Sequence, residues 1–387
     1  MTALNGLTVV SVEHAVAVPY ATRLLADLGA RVIKVERPGG DFARRYDTSC
    51  GPVSSYFAWV NAGKQSVELD LKSELGADAI RRLADRADVF LCNLSPGATR
   101  RLGLDAGTLR ESRPELIVAE LSSYGTDGPY AHRKAYDALV QSETGLIDLT
   151  GTGEDRARTG ISVADIAAGV QLQAAVLTAL YHRERTGQGS TLRLALMDAL
   201  AEWMQQPMLY ALGTGTVPPR SGAHHLSIAP YGPFPCAGGA VHLAVQNEGQ
   251  WQRLCTEVLG RPELAADPRF GTVADRVANR DELHEIMYAE LAGFGPDELL
   301  ERLDAADVPG ARTRDVLGLA EHPQLAARDR WRPVTVSGGP DISLLRPSVD
   351  SDGWTAPPAS VPDLGEDTES ILKWLGYTSE QIRSLTG

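Results

Sequence analysis

Residues 7–36 read LTVVSVEHAVAVPYATRLLADLGARVIKVE, and this stretch decides the fold class. Residues 7–12 and 31–35 are short runs rich in β-branched side chains, which are typical of buried strands. Residues 19–28 between them predict a helix, with Pro19 in its first turn and a glycine just beyond its end. A strand, a helix and a second strand in this order indicate a βαβ unit with parallel strands.

The same alternation continues along the first half of the chain. The composition of the following runs predicts further strands over 66–69, 89–92, 116–121 and 192–195, with helices over 75–87, 166–185 and 198–212. Residues 160–163 form a short strand-like run immediately before the longest of these helices. The pattern predicts an α/β fold with a parallel, doubly wound sheet.

The amino-acid composition of the sequence changes after residue 212. Residues 213–239 are rich in Gly, Pro, Ser and His and are too long for an ordinary connection, which indicates a linker or a functional loop. A second αβ region follows, and residues 323–362 are predicted to be irregular before two closing helices. We therefore divide the chain into segments 1–212, 213–239, 240–322 and 323–387.

The overall composition limits the class of partner and the compartment. The net charge of −13 argues against nucleic acid, which requires a basic surface, but not against a nucleotide ligand. The four cysteines are scattered without a C-x-x-C pair, so we expect no metal site, no disulfide framework and a reducing compartment. No signal peptide or membrane-spanning stretch is evident, which predicts a cytoplasmic protein with no membrane partner.

The standard catalytic motifs are absent, and one carboxylate remains as a candidate nucleophile. Glu36 ends the second strand as a ribose-binding acid would, but the loop over 13–19 lacks the glycines of a dinucleotide site. Asp165 lies between the strand-like run and the long helix, where the helix dipole and free N–H groups would favour its ionised form. It is either a helix cap or a nucleophile at a strand-to-helix turn, and the local pattern leaves both open.

Several longer motifs together resemble the class III CoA-transferase family, of the formyl-CoA and carnitine-CoA transferase type. They are LGARVIKVERPGGD at 28–41, KQSVELDLK at 64–72, ADIAAG at 164–169, RERTGQG at 183–189 and the closing LGEDT at 364–368. The resemblance implies a Rossmann-like large domain built from both chain ends, a smaller inserted α+β domain and a homodimer of interlocked chains. In that reading segments 1–212 and 323–387 form the large CoA-binding domain and 240–322 the small one.

The same resemblance implies the chemistry. Asp165 would attack an acyl-CoA thioester to give an aspartyl anhydride and then an aspartyl-CoA thioester, so that CoA moves between two small carboxylic acids. Acyl-CoA is then a substrate, the free acid is its partner, and no prosthetic group or metal is required.

By position, the resemblance assigns the CoA contacts to Val16, Ala17, Arg37, Leu69, Lys72, Asn93, Leu94, Ser95, Arg101, Lys134, Ala135, Tyr136 and Asp137. The Arg and Lys residues among them would give the CoA phosphates cationic partners in an otherwise acidic protein. The alternative for each is a solvated surface charge.

Two other functions remain open. The 2-methylacyl-CoA racemases, which resemble this chain, carry a His-Asp pair where this sequence has Tyr136-Asp137, and a phenol is a poor base near neutral pH. A racemase would therefore need His132 or His14 as its base. A CoA-binding protein without catalysis would leave Asp165 idle.

The loop that follows residue 212 indicates the acid. PPRSGAHH at 218–225 and IAPYGPF at 228–234 resemble members that act on C4–C5 dicarboxylates such as succinate, itaconate, mesaconate and citramalate. A dicarboxylate needs a second anchor, and Arg220 or His224 could supply it. A structural linker with solvated basic side chains is the alternative.

Overall fold

The structure is a computed structural model that describes residues 2–386. Its strands are β1 (Thr8–Val12), β2 (Arg31–Glu36), β3 (Gln65–Glu68), β4 (Val89–Cys92), β5 (Ile117–Ser122), β6 (Gly151–Thr152), β7 (Asp155–Arg156), β8 (Thr191–Ala195), β9 (Tyr231–Cys236), β10 (Gly239–Ala244), β11 (Gly310–Arg312), β12 (Trp331–Val336), β13 (Asp341–Leu345) and β14 (Ser360–Val361).

The helices in the first half of the chain are α1 (Ala17–Asp27), α2 (Ser55–Asn61), α3 (Glu74–Asp85), α4 (Pro96–Leu102), α5 (Ala106–Glu111), α6 (Asp137–Glu143), α7 (Leu146–Leu149), α8 (Val163–Thr186), α9 (Leu196–Trp203) and α10 (Gln205–Thr214). The later ones are α11 (Glu248–Arg253), α12 (Pro262–Ala266), α13 (Val273–Ala278), α14 (Arg280–Leu291), α15 (Pro296–Ala305), α16 (Val316–Ala320), α17 (Pro323–Ala327), α18 (Thr368–Trp374) and α19 (Ser379–Thr386).

The chain divides into two compact units. The first combines residues up to 146, 159–206 and those from 329 on, and the second combines 147–158 with 207–328. The first unit is thus built from both chain ends. The segment boundaries at 212, 239 and 322 and the interlocked homodimer stay predictions.

A six-stranded parallel sheet organises the first unit, in the order β3-β2-β1-β4-β5-β8. The α/β class and the parallel sheet predicted from the sequence are confirmed. Side chains of β1 alternate between two cores, with Val9 in one and Val10 and Val12 in the other, because both faces of the sheet are covered by helices.

Helix α8 packs directly on α1 over one face of this sheet. A Cβ atom at Gly169 would lie 2.9 Å from the carbonyl oxygen of Ala17, so only glycine permits this approach. The 24-residue helix is also apolar and long enough to resemble a membrane span by composition, yet seven of its residues are buried in the protein. The close approach fixes the second turn of α8 beside the start of α1.

The second unit has its own core and sheet. Strands β9, β10 and β11 form an antiparallel sheet in the order β11-β10-β9, and helices α14 and α15 contact it. Its core contains the buried aromatic residues Phe234, Trp251 and Phe270. The second unit therefore has the arrangement of helices and strands of a small α+β unit.

Four expectations for local structure are wrong. The 213–239 segment, expected to be a linker or loop, contains strand β9. Residues 160–163 do not form a strand, because α8 already begins at Val163. The 198–212 helix is two helices, α9 and α10. The 323–362 region, expected to be irregular, contains helix α17 and a three-stranded sheet in the order β13-β12-β14; Pro333 within β12 obscured the strand pattern, since proline is rare in strands.

Candidate active site

A cavity of about 630 Å³ opens at the carboxyl ends of β1, β4 and β5. The loops that follow these parallel strands line it, as expected for a site in an open α/β sheet. The loop preceding α6 and the first turn of α8 complete the wall, and Asp165 is the residue that α8 contributes. All of these segments belong to the first unit.

Asp165 is the third residue of α8 and is half-buried at the cavity wall. Burial, followed by the negative charge of Asp137, raises its pKa to about 7. The sequence-based expectation that the helix end would favour ionisation is therefore wrong in direction. Within residues 2–386 the Asp165 carboxylate accepts no hydrogen bond and pairs with no cation.

Asp137, the first residue of α6, explains why the helix end does not compensate. Its buried Oδ1 accepts the backbone N–H of Ala164 at 2.8 Å, in the first turn of α8. Its Oδ2 accepts the Gln141 side-chain amide at 2.7 Å, and Gln141 Oε1 in turn accepts the backbone N–H of Thr159 at 3.1 Å. A carboxylate from another helix thus caps α8 directly behind Asp165.

Most of the predicted CoA contacts lie at the cavity. Those that line it are Ala17, Asn93, Leu94, Ser95, Lys134, Ala135 and Tyr136. The remaining predicted residues, Val16, Arg37, Leu69, Lys72, Arg101 and Asp137, are not among its lining residues. Val16 and Leu69 are buried, and both oxygens of Asp137 are engaged within the protein. The CoA-binding roles of all thirteen stay predictions.

The cavity also contains functional groups that the sequence interpretation did not assign to CoA. Arg100 and Arg133 add positive charge, and His14 and His132 bring two imidazoles to the wall. Burial lowers the pKa of His14. Their common signal is position, because each lies in a segment that follows the carboxyl end of a strand of the parallel sheet.

Tyr46 is a further group with an electrostatic link to Asp165. Its pKa is raised to about 12 by burial, then by the charges of Asp41, Tyr136 and Asp165. Its phenol is therefore neutral near pH 7 and adds no charge beside Asp165.

Arg220 and His224 belong to the second unit and have partners there. Arg220 Nε donates to the carbonyl oxygen of Gly153 at 2.7 Å, and Nη1 lies 3.2 Å from Asp148 Oδ1. The His224 ring packs 4.3 Å from that of His284. Arg220 thus ties the β6–β7 turn to its loop, and its role in binding a substrate carboxylate stays a prediction.

A buried ionic network underlies the β1 side of the cavity. Lys34 Nζ lies 2.9 Å from Asp41 Oδ2, and Lys64 Nζ lies 2.7 Å from Glu13 Oε1. The backbone N–H of Ala15, which has a left-handed φ of 64°, donates to Asp41 Oδ1 at 3.3 Å. The network therefore holds the His14–Ala15 turn at the cavity edge. Among residues 2–386 no cluster of three or more His, Cys, Asp or Glu side chains is arranged to hold a metal ion.

Comparison with known proteins gives one consistent result. A family model described as CoA-transferase family III matches residues 4–368. Acetyl-CoA:oxalate CoA-transferase of Acetobacter aceti is 36% identical over 87% of this chain and 90% of its own length. Succinate–glutarate CoA-transferase of Agrobacterium fabrum is 33% identical over 95% of this chain and 94% of its own length. The crystal structure of a CAIB/BAIF family protein from Brucella suis superposes with a TM-score of 0.86, at 33% identity, over 97% of this chain and 99% of that one.

Proposed function

The chain belongs to CoA-transferase family III and is an enzyme of that family, and we propose that it transfers CoA between C4–C5 dicarboxylic acids through covalent intermediates on Asp165. One observation carries the proposal: a half-buried carboxylate without a cationic partner in the described chain faces a cavity at the carboxyl edge of the sheet. Such a group is free to attack an electrophile.

The proposed reaction has four steps. An Asp165 oxygen attacks the thioester carbonyl carbon; the C–O bond forms, the C–S bond breaks, and the thiolate leaves with the electron pair. The thiolate then attacks Asp165 Cγ and expels the donor acid as a carboxylate, leaving an aspartyl-CoA thioester. The incoming acid attacks that thioester through its own carboxylate and releases the thiolate, which attacks the new acyl carbon and regenerates the Asp165 carboxylate.

The wall of the cavity suits an anionic thioester. Arg100, Arg133 and Lys134 supply three cations in a protein of net charge −13. Cations held near a common cavity attract phosphate groups and offer charge-assisted hydrogen bonds. We propose that this basic wall, with the other predicted contacts, binds the phosphates of CoA.

The choice of acid rests on the relatives and on the 213–239 loop. Oxalate, succinate and glutarate, which appear in the names of the two relatives, are dicarboxylates. We propose that this chain also prefers a dicarboxylate and that it acts as a cytoplasmic homodimer. The names of the relatives favour transfer over the racemase and non-catalytic alternatives.

The decisive experiment replaces the nucleophile. Asp165→Ala is expected to abolish transfer while retaining folding and CoA affinity. Wild-type enzyme incubated with succinyl-CoA and then hydroxylamine should carry a hydroxamate on Asp165, located by peptide mass spectrometry. Asp85→Ala, which alters an exposed aspartate, serves as the matched control and should remain active and labelled. A fully active Asp165→Ala enzyme would end the covalent proposal.

A second experiment tests the acid. Wild-type enzyme should prefer succinyl-CoA over butyryl-CoA with one common acceptor, and Arg220→Gln should weaken only the succinyl reaction if Arg220 binds the far carboxylate. Equal losses on both donors would show that Arg220 acts through its contacts with Asp148 and Gly153. A wild-type preference for butyryl-CoA would exclude the dicarboxylate assignment.

A further inference from the structure

We propose that Asp137 is a positioning residue for Asp165: its buried carboxylate caps the first turn of α8 and places a fixed negative charge behind the nucleophile, which favours the acylated states of Asp165. The inference rests on the proposed covalent function and names a residue that acts through Asp165 rather than on the substrate.

The cap is the first step of the argument. Ser162, at the N-cap of α8, makes no side-chain capping bond to a described residue. The backbone N–H of Ala164 donates instead to Asp137 Oδ1 at 2.8 Å, across 27 residues of sequence. Because Ala164 immediately precedes Asp165, this bond fixes the backbone from which the nucleophile projects.

The charge of Asp137 is the second step. Both of its oxygens accept hydrogen bonds from N–H donors, one from Ala164 and one from the Gln141 amide. Each oxygen therefore acts as an acceptor, which is the role that a carboxylate oxygen fills. Gln141 cannot rotate its amide freely, because its Oε1 is held by the backbone N–H of Thr159.

The effect on the reaction follows from charge balance. A free Asp165 carboxylate is a second negative charge close to Asp137, whereas the anhydride and the aspartyl thioester are neutral at that position. Acylation transfers the negative charge to the leaving thiolate or carboxylate, away from the pair. Repulsion by Asp137 therefore raises the energy of the free carboxylate relative to both intermediates.

Other titratable groups also face Asp165 and must be compared with Asp137. They are Tyr46, Tyr136, His14, His132, Arg100, Arg133 and Lys134. The cations among them would lower the energy of the carboxylate, yet the net direction is the opposite, since burial and Asp137 raise the pKa of Asp165 to about 7. Asp137 is the described group whose charge opposes ionisation.

The test follows the titration of Asp165 directly, without requiring activity. The enzyme is labelled with ¹³C at the aspartate carboxyl carbons and studied by NMR. The Asp165 signal is the one that is missing from the spectrum of Asp165→Asn. The midpoint should lie near pH 7 in wild type and fall by about one unit or more in Asp137→Asn. Gln141→Met removes one bond to Asp137 but keeps its charge, and it should leave the midpoint within about 0.3 unit of wild type.

A second readout uses the intermediate. With succinyl-CoA at pH 8.5, the ratio of aspartyl thioester to free Asp165 should be about tenfold lower in Asp137→Asn than in wild type, because one pH unit corresponds to a factor of ten. Equal ratios together with equal midpoints would overturn the role of Asp137 while leaving the covalent mechanism intact. Absence of any adduct on wild-type Asp165 would instead reject the proposed function.

Wild-type enzyme provides a test that does not depend on folding of Asp137→Asn. Its Asp165 carboxyl signal should titrate near pH 7, whereas a midpoint close to the ordinary aspartate value of about 3.8 would show that no negative charge opposes ionisation of Asp165 and would exclude the proposal.

Discussion

Two groups of buried carboxylates lie in the same unit and behave in opposite ways. Burial alone would raise the pKa of Glu36, but its hydrogen bonds from Arg44 and the charge of Lys34 lower that pKa to about 2. Burial likewise raises the pKa of Asp165, and the negative charge of Asp137 raises it further to about 7. The sign of the neighbouring charge, rather than burial, therefore separates the structural carboxylate Glu36 from the reactive carboxylate Asp165.

The carboxylates that are paired with cations hold part of the cavity that Asp165 lines. Asp41, Lys34 and Glu13 are buried and hold the turn at His14–Ala15, which forms one edge of the cavity. Asn93 joins this turn from β4, since its Oδ1 accepts the His14 N–H at 3.1 Å. The paired charges thus hold one edge of the cavity that Asp165 also lines, while Asp165 itself has no hydrogen-bonded cationic partner among the described residues.

The largest expected effect on stability comes from removing the cation of the buried Lys34–Asp41 pair. Lys34→Met would leave Asp41 buried without its 2.9 Å cationic partner, and loss of one member of a buried pair costs about 3–5 kcal/mol. Urea unfolding should show this decrease in the free energy of unfolding. Lys373→Met, which removes an exposed i,i+4 pair with Glu369, is the matched control and should cost less than about 0.5 kcal/mol.

A decrease of less than about 1 kcal/mol in Lys34→Met would contradict the view that the network is structural. It would mean that water reaches Asp41 when the cation is removed.

The second largest expected effect comes from replacing Asp165, the carboxylate that has no cationic partner. Because the pKa of Asp165 is raised in the folded state, its contribution to stability is complete below the unfolded pKa of about 3.8 and is lost as the pH rises through about 7. Asp165→Asn cannot ionise and should therefore be more stable than wild type at pH 8, by about 1–3 kcal/mol after allowance for water in the cavity.

Thermal unfolding at pH 5.5 and pH 8 measures this difference, which should shrink toward the lower pH. The control Asp85→Asn changes an exposed carboxylate and should give a difference that does not vary with pH. A stability gain of Asp165→Asn that is equal at both pH values would show that Asp165 does not titrate in this range.

The sequence predicts one side of this comparison better than the other. The parallel sheet and the position of Asp165 near the start of a long helix follow from hydrophobic periodicity and from the family motifs. The direction of its pKa does not, because Asp137 caps α8 from a different helix, and a hydrogen bond between elements leaves no local pattern. The dipole of α8 alone therefore predicts the wrong direction for the pKa of Asp165.

The charge pairing across the sheet cannot be predicted from the sequence either, because it also depends on contacts between different elements. Lys34 reads as a strand residue and Lys64 as a surface lysine, yet both are buried and paired with Glu13 or Asp41. The β12–β14 sheet was missed because Pro333 and the glycines at 338–339 interrupt its strand pattern. Local propensity fails where tertiary contacts decide the outcome.

The smallest expected effect concerns the turn that joins the two groups. Ala15 has a φ of 64°, and a non-glycine residue in this left-handed conformation costs about 1–2 kcal/mol. Ala15→Gly removes that cost but increases the entropy of the unfolded chain, which cancels about 0.5–1 kcal/mol of the gain. The free energy of unfolding should therefore rise by only about 0.5 kcal/mol.

Ala15→Val provides the matched variant of opposite sign, since a β-branched side chain tolerates this conformation less well than alanine does. It should lower the free energy of unfolding by more than about 1 kcal/mol. The same pair made in Asp41→Ala tests the link to the network, because this change removes the acceptor of the Ala15 N–H, so that the turn can relax to a negative φ and the two variants should then differ less. An undiminished difference in that background would show that the turn is held by Asn93 alone and that the paired charges do not shape the cavity edge.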